Sequence, residues 1–108
     1  MDILTNADGV TVTDDLRAII EAKVGRVEQY APRAIRARVY VRKVSAHHSQ
    51  RQYAVRVLCE LPGRDRSAEE YGADPLVALD VVTEKIERQL RKRKTALLAR
   101  RSRPPRAR

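Results

Sequence analysis

Two stretches of the chain repeat apolar residues every third or fourth position, and two others alternate them every second position. Leu16, Ile19, Ile20, Val24, Val27 and Tyr30 make the first helical stripe, because a period of 3.6 gathers such residues on one face. Leu79, Val82, Ile86, Leu90 and Leu97 make the second. Both stripes begin with a capping signal. Thr13 is placed to accept from the unpaired N–H groups of the first helix, and Asp14 and Asp15 follow where the helix dipole favours acids. Ala31-Pro32 predicts its end, since the residue before proline avoids the α region. Asp74 is the predicted N-cap of the second helix, with Pro75 at the first helical position, where no N–H is needed.

The alternating stretches predict strands. In residues 35–43, Ile35, Ala37, Val39 and Val41 point one way, and Arg36, Arg38, Tyr40 and Arg42 the other. In residues 52–61, Tyr53, Val55, Val57, Cys59 and Leu61 share a face. Shorter strands are expected at 2–6 and 66–71, set off by the turn signals Ala7-Asp8-Gly9 and Pro62-Gly63. The predicted order is β-α-β-β-β-α. Its first three elements would form a right-handed βαβ unit with parallel strands, and the shorter later connections predict antiparallel pairing. Placing both helices on the apolar face of a four-stranded sheet buries every stripe, giving a two-layer α+β fold with one polar face left to solvent. This domain is expected over residues 1–98. Residues 99–108 lack an apolar period and contain two prolines, and read as a disordered basic tail.

Composition narrows the picture. A chain of 108 residues is expected to form one domain, and with four Tyr, no Trp and no Phe its core must be aliphatic. The single cysteine, Cys59, cannot form an internal disulfide, which suits a reducing cytoplasm. No apolar run is long enough to span a bilayer, and the start MDILTNADG lacks the basic and apolar regions of a secretion signal. A cytoplasmic protein with no membrane partner is therefore expected. The net charge of +9 has one location: residues 91–108 hold nine of the 23 bases and no acid, which leaves 14 bases against 14 acids before them. Such a block suits an anionic partner such as nucleic acid; a solubilising tail would carry the same charge.

On the second helix, Lys85, Arg88 and Lys92 project as a basic ridge that runs into Arg91, Lys92, Arg93 and Lys94. Asp80, Glu84 and Glu87 fall on the other flank and read as a solvated face, with Glu84–Arg88 and Glu87–Arg91 at supportive i,i+4 spacing. A basic ridge continuous with a basic tail favours nucleic acid. On the first helix, Lys23 projects within the apolar stripe and Arg26 at its edge, so their stems would cover core while their charges reach a basic edge between the helices. Arg36, Arg38 and Arg42 with Tyr40 suit RNA phosphates and stacking, and equally a solvated outer sheet face. His47-His48 has no second cluster at zinc-ligand spacing, and Cys59 lies on an apolar strand face. No phosphate-binding glycine loop or nucleophile motif occurs. A non-enzymatic protein with no cofactor, metal or small-molecule substrate is expected.

The segment ADPLVALDVVTEKIERQLRKRK resembles the second helix of the ribosome hibernation-promoting factor and ribosome-associated inhibitor family, also described as sigma-54 modulation protein-like. Asp74, Ala78, Leu79, Asp80, Lys85, Ile86, Glu87, Arg88, Gln89, Leu90, Arg91, Lys92 and Lys94 carry the likeness. Val10, Val12, Thr13, Leu16, Ala22-Lys23 and Val27-Glu28-Gln29-Tyr30 extend it through the N-terminal half. The resemblance implies a fold like that of double-stranded RNA-binding domains. It also implies binding to the 30S ribosomal subunit in the channel between head and body, where mRNA and tRNA would lie, so that translation stops in stress or stationary phase. The contacts would be to 16S rRNA, through Lys23, Arg26, Lys85, Arg88, Arg91, Lys92 and Lys94. Pro75 and Leu76 stand where the family usually has Met-Tyr. The chain reads as a short form without the domain that dimerises ribosomes in long members. Two other readings fit the residues: a general double-stranded RNA-binding protein or RNA chaperone, and a protein adaptor that uses the open sheet face.

Overall fold

In the computed structural model, the described residues are 1–44 and 50–102, with the backbone alone for Arg101 and Ser102. The elements follow the order β1 (Asp2–Asp8), α1 (Asp14–Gly25), a 3-10 turn (Arg26–Gln29), β2 (Arg36–Lys43), β3 (Tyr53–Glu60), β4 (Arg66–Gly72) and α2 (Pro75–Ser102). The four strands form one sheet in sequence order. β1 pairs parallel with β2, as a βαβ crossover requires, while β2–β3 and β3–β4 are antiparallel. The fold is thus the predicted α+β arrangement.

Register explains which face is buried. Thr5, Val39, Val57 and Ala68 form one transverse row, and Ile3, Ala37 and Cys59 another. These rows meet Ile20, Val24 and Val27 from the first helical segment and Ala78, Leu79, Val82, Ile86 and Leu90 from α2, all buried in one core cluster. The predicted caps form. The Leu16 N–H donates to Thr13 Oγ1 at 3.2 Å, and the Leu76 N–H to Asp74 Oδ1 at 2.6 Å.

Three details differ from the sequence reading. α1 gives way at Gly25 to the 3-10 turn, although its apolar stripe runs on to Tyr30. Glycine is a poor helix former, and the tighter turn still lets the Tyr30 and Ala31 N–H groups donate to the Val27 carbonyl. Ile35 and Leu97, each expected on a buried face, are 54% and 42% exposed. Ile35 stands just before β2 begins at Arg36, and Leu97 lies on the part of α2 beyond the buried core. The core closes at Leu90, whereas α2 continues for twelve residues, about 18 Å of helix. The helix also runs four residues beyond Leu98, to Ser102; residues 103–108 of the expected tail, and His47-His48, lie outside the described residues.

Gly72 sets where α2 leaves the sheet. A Cβ there would stand 2.8 Å from the Ala78 nitrogen and 3.0 Å from the Asp74 carbonyl oxygen. Only glycine allows β4 and the first turn of α2 this approach.

Candidate nucleic-acid interface

The projecting end of α2 carries the densest charge. Beyond Leu90, Arg91, Lys92 and Lys94 are exposed, and residues 91–102 contain six bases and no acid. Past Leu90 one side of the helix, with Arg91 and Lys92, is exposed, while Arg93, Lys94, Leu97 and Leu98 face the segment 30–34 and the Leu61-Pro62 turn. Lys92 makes no ion pair or hydrogen bond among the described residues. Arg91 sits 5.8 Å from the centre of the Tyr30 ring, within cation–π range. Arg93 donates to the Pro62 carbonyl and Lys94 to the Gln29 carbonyl, each at 3.3 Å. None of these four meets a carboxylate among the described residues.

Upstream, the same helix is electrostatically different. Lys85 pairs with Glu70 of β4, and Arg88 lies 3.7 Å from Glu84 one turn earlier. Both bases remain exposed, but each carries an acid beside it. The predicted ridge of Lys85, Arg88 and Lys92 therefore exists as a line of side chains, with unopposed charge at its Lys92 end.

The groove between the helices is not the free basic edge expected. Lys23 pairs with Asp80 of α2, and Arg26 Nε stands 3.3 Å from Glu87 Oε1. These two bases, Thr83 and the carboxylates of Asp80, Glu84 and Glu87 line a polar cleft of about 220 Å³. Glu87, read from the sequence as solvated, is only 9% exposed. A carboxylate so placed requires a counter-charge, which Arg26 supplies. The sequence reading missed this because Glu87 lies on the polar flank of its helix and Arg26 at the edge of the other stripe, and only the packing turns the two together.

The open sheet face follows the same rule. Arg36 and Arg38 converge on Glu60 of β3, at 3.1 and 3.0 Å. The hydrogen bond and the charge of Glu60 raise the Arg38 pKa above its ordinary value. Arg42 reaches Glu69 on β4 at 3.4 Å, and Glu69 also accepts from the Tyr71 hydroxyl at 3.3 Å. Arg51 stacks over Tyr71 at 4.3 Å. Cross-strand acids thus hold all three arginines named for this face. Cys59 is fully buried, and desolvation, with a smaller contribution from Asp65, pushes its thiol up to about 11. It is a core residue and no nucleophile at neutral pH.

Sequence reasoning also missed a notch at the root of the projecting helix. There Tyr30 to Ala34, Leu61, Pro62 and the α2 residues Arg93, Lys94, Leu97 and Leu98 enclose about 430 Å³. Leu97 was the one available signal: an apolar residue in register with the core stripe but beyond the last strand. Among the described residues, no helix is long and apolar enough to cross a membrane.

Comparison with known proteins matches this architecture. The family model described as "Sigma 54 modulation protein / S30EA ribosomal protein" matches residues 3–97. The chain is 35% identical over 92 residues to a ribosome hibernation promotion factor of Deinococcus radiodurans, covering 85% of this chain and 48% of that protein. It is 34% identical over 95 residues to the factor of the same name from Staphylococcus aureus, covering 85% of this chain and 47% of that one. The chain thus spans about half the length of these curated relatives. In structure it is similar to the N-terminal domain of Thermus thermophilus Protein Y, with a TM-score of 0.72 at 23% identity over 85% of this chain and 98% of that one. It is also similar to a ribosomal subunit interface protein from Coxiella burnetii, with a TM-score of 0.76 at 23% identity over 88% and 99% of the two chains. With a family match across nearly all its length and a sheet, helix pair and core that follow the same plan, the chain belongs to the Sigma 54 modulation protein / S30EA ribosomal protein family.

Proposed function

We propose that this protein is a non-enzymatic ribosome-binding factor that docks on the small ribosomal subunit through 16S rRNA. There it would occupy the mRNA and tRNA channel and halt translation during stress or stationary phase in the cytoplasm. The observation that carries this reading is the acid-free end of α2, which projects past the core with Arg91 and Lys92 exposed. A helix of that kind can track a phosphate backbone without disturbing the core, and each phosphate it neutralises releases counterions. Family membership and the relatives' shared name, ribosome hibernation promotion factor, support the ribosome as the RNA in question.

Among the bases named from the sequence, Arg91, Lys92 and Lys94 are the proposed principal rRNA contacts, because no carboxylate competes for them. Lys85 and Arg88 extend the same line, each exchanging an acid neighbour for phosphate. Lys23 and Arg26 border it and would engage RNA only by leaving Asp80 and Glu87.

Co-sedimentation with purified 30S subunits at two salt concentrations tests the proposal. Pelleting should fall steeply with salt, and assembled 30S should compete far better than an equal mass of duplex RNA. Equal competition by the duplex would favour a general RNA-binding protein or chaperone. Pelleting that survives nuclease treatment would favour a protein adaptor.

A further inference from the structure

We infer that the notch between the projecting end of α2 and the end of the sheet is a socket for one unstacked RNA base, with flanking phosphates on Arg33, Arg93 and Lys94. The inference rests on the RNA reading above and names a contact within it. Three observations carry it.

The first is shape and lining. The cavity holds about 430 Å³, within the range of small-ligand sites. Tyr30, Pro32, Leu61 and Pro62 line it from the body of the domain, and Leu97 and Leu98 line it from α2. These two leucines are 42% and 49% exposed, in an uncharged stretch between the bases Lys94 and Arg100. Sequence-tolerant recognition of single-stranded RNA seats bases against such apolar and aromatic surfaces.

The second is charge. The rim carries Arg33, Arg93 and Lys94, and no Asp or Glu lines the cavity. An apolar socket ringed only by cations suits a group that is itself planar and apolar but bears an anion on either side. A nucleotide in a strand has that form.

The third is the state of the rim bases. Arg93 and Lys94 rest on backbone carbonyls, those of Pro62 and Gln29. Either can turn to a phosphate without stranding a buried carboxylate. Arg26 cannot, because Glu87 would be left without its counter-charge.

Nuclear magnetic resonance titration of the full chain tests the socket, using a five-residue oligouridylate and the same strand with an abasic central residue. The intact strand should bind about 5- to 150-fold more tightly than the abasic one, the increment of one stacked base. It should also shift the resonances of Tyr30, Ala34, Leu61 and Leu97. In a Leu97→Gln/Leu98→Gln variant, whose altered residues lie outside the core, the preference should fall at least about threefold while both strands still bind. Equal affinity of the wild type for the two strands would overturn the socket and leave the phosphate-tracking helix intact. Shifts at these residues with an acidic apolar peptide and none with RNA would overturn it in favour of a protein partner. Loss of 30S co-sedimentation together with all oligonucleotide binding would mark failure of the underlying RNA reading.

Discussion

Arg26 Nε lies 3.3 Å from Glu87 Oε1, joining the end of α1 to the middle of α2 across the polar cleft. The arginine side chain is 58% exposed and the glutamate only 11%, so the two partners are not equivalent. Replacing Arg26 by Ala leaves a buried carboxylate uncompensated and should destabilise the domain by about 1–2 kcal/mol. Glu87→Gln keeps the shape, removes the charge and should cost less. Urea unfolding of both variants, with unchanged slope, checks the order; a Glu87→Gln variant less stable than Arg26→Ala would contradict it.

The end of the core at Leu90 makes a second prediction. Leu90→Ala should cost about 2–5 kcal/mol, the usual range for a buried leucine truncated to a cavity. Leu97→Ala, in the same heptad stripe, should stay within about 0.5 kcal/mol. Thermal unfolding distinguishes them directly, and comparable losses would mean that the projecting helix is packed in solution.

Gly72→Ala should be destabilising by about 1–3 kcal/mol, because its methyl group would meet backbone atoms of the α2 first turn, which cannot rotate away. Gly63, in the Pro62-Gly63 turn, offers a control of different kind. It has a φ of +91° and no atom within 4 Å of where a methyl carbon would stand, so any loss on Gly63→Ala is backbone strain alone.

Cys59 links stability to alkaline pH. Its folded pKa is raised from 9.0 to about 11. The folded protein therefore keeps a proton that the unfolded chain gives up first. This contribution is complete below pH 9 and is lost as pH rises toward 11, on the order of 3 kcal/mol in all. A Cys59→Ala variant should show a shallower alkaline decline relative to its own value at pH 7. The native thiol should resist disulfide reagents at pH 8 and react at the rate of a free thiol in urea.

Truncation after Lys94 removes the last part of α2 but none of the buried core. Unfolding free energy should change by less than about 0.5 kcal/mol. The salt slope of RNA binding should fall by about 0.7–0.9 for each phosphate the shortened helix no longer neutralises, depending on whether the strand is single or double. An unchanged slope would assign binding to Arg91, Lys92 and Lys94 without help from the residues beyond.

The architecture was readable because its signals are local. The alternation through Ala37, Val39 and Val41, and through Val55, Val57 and Cys59, names the buried sheet face before any strand is paired. Thr13 and Asp74 mark helix starts because a cap acts within three residues of itself. The basic ridge was readable for the same reason, since one helix's geometry places Lys85, Arg88 and Lys92 in line.

Partner choice was not local. Lys23 meets Asp80 across 57 positions, and Lys85 meets Glu70 because the sheet register turns that glutamate toward α2. No periodicity in either helix predicts which acid will face which base; that depends on how the two helices settle on the sheet. The fate of Leu97 has a similar cause. Its spacing continues the stripe faithfully, but a stripe is buried only while something lies opposite, and the strands end before the helix does. Amphipathic period and capping chemistry thus specify the elements and their inward faces. Relative element length and long-range packing decide which charges are neutralised, which remain for a partner, and where an apolar side chain is left beside an open notch.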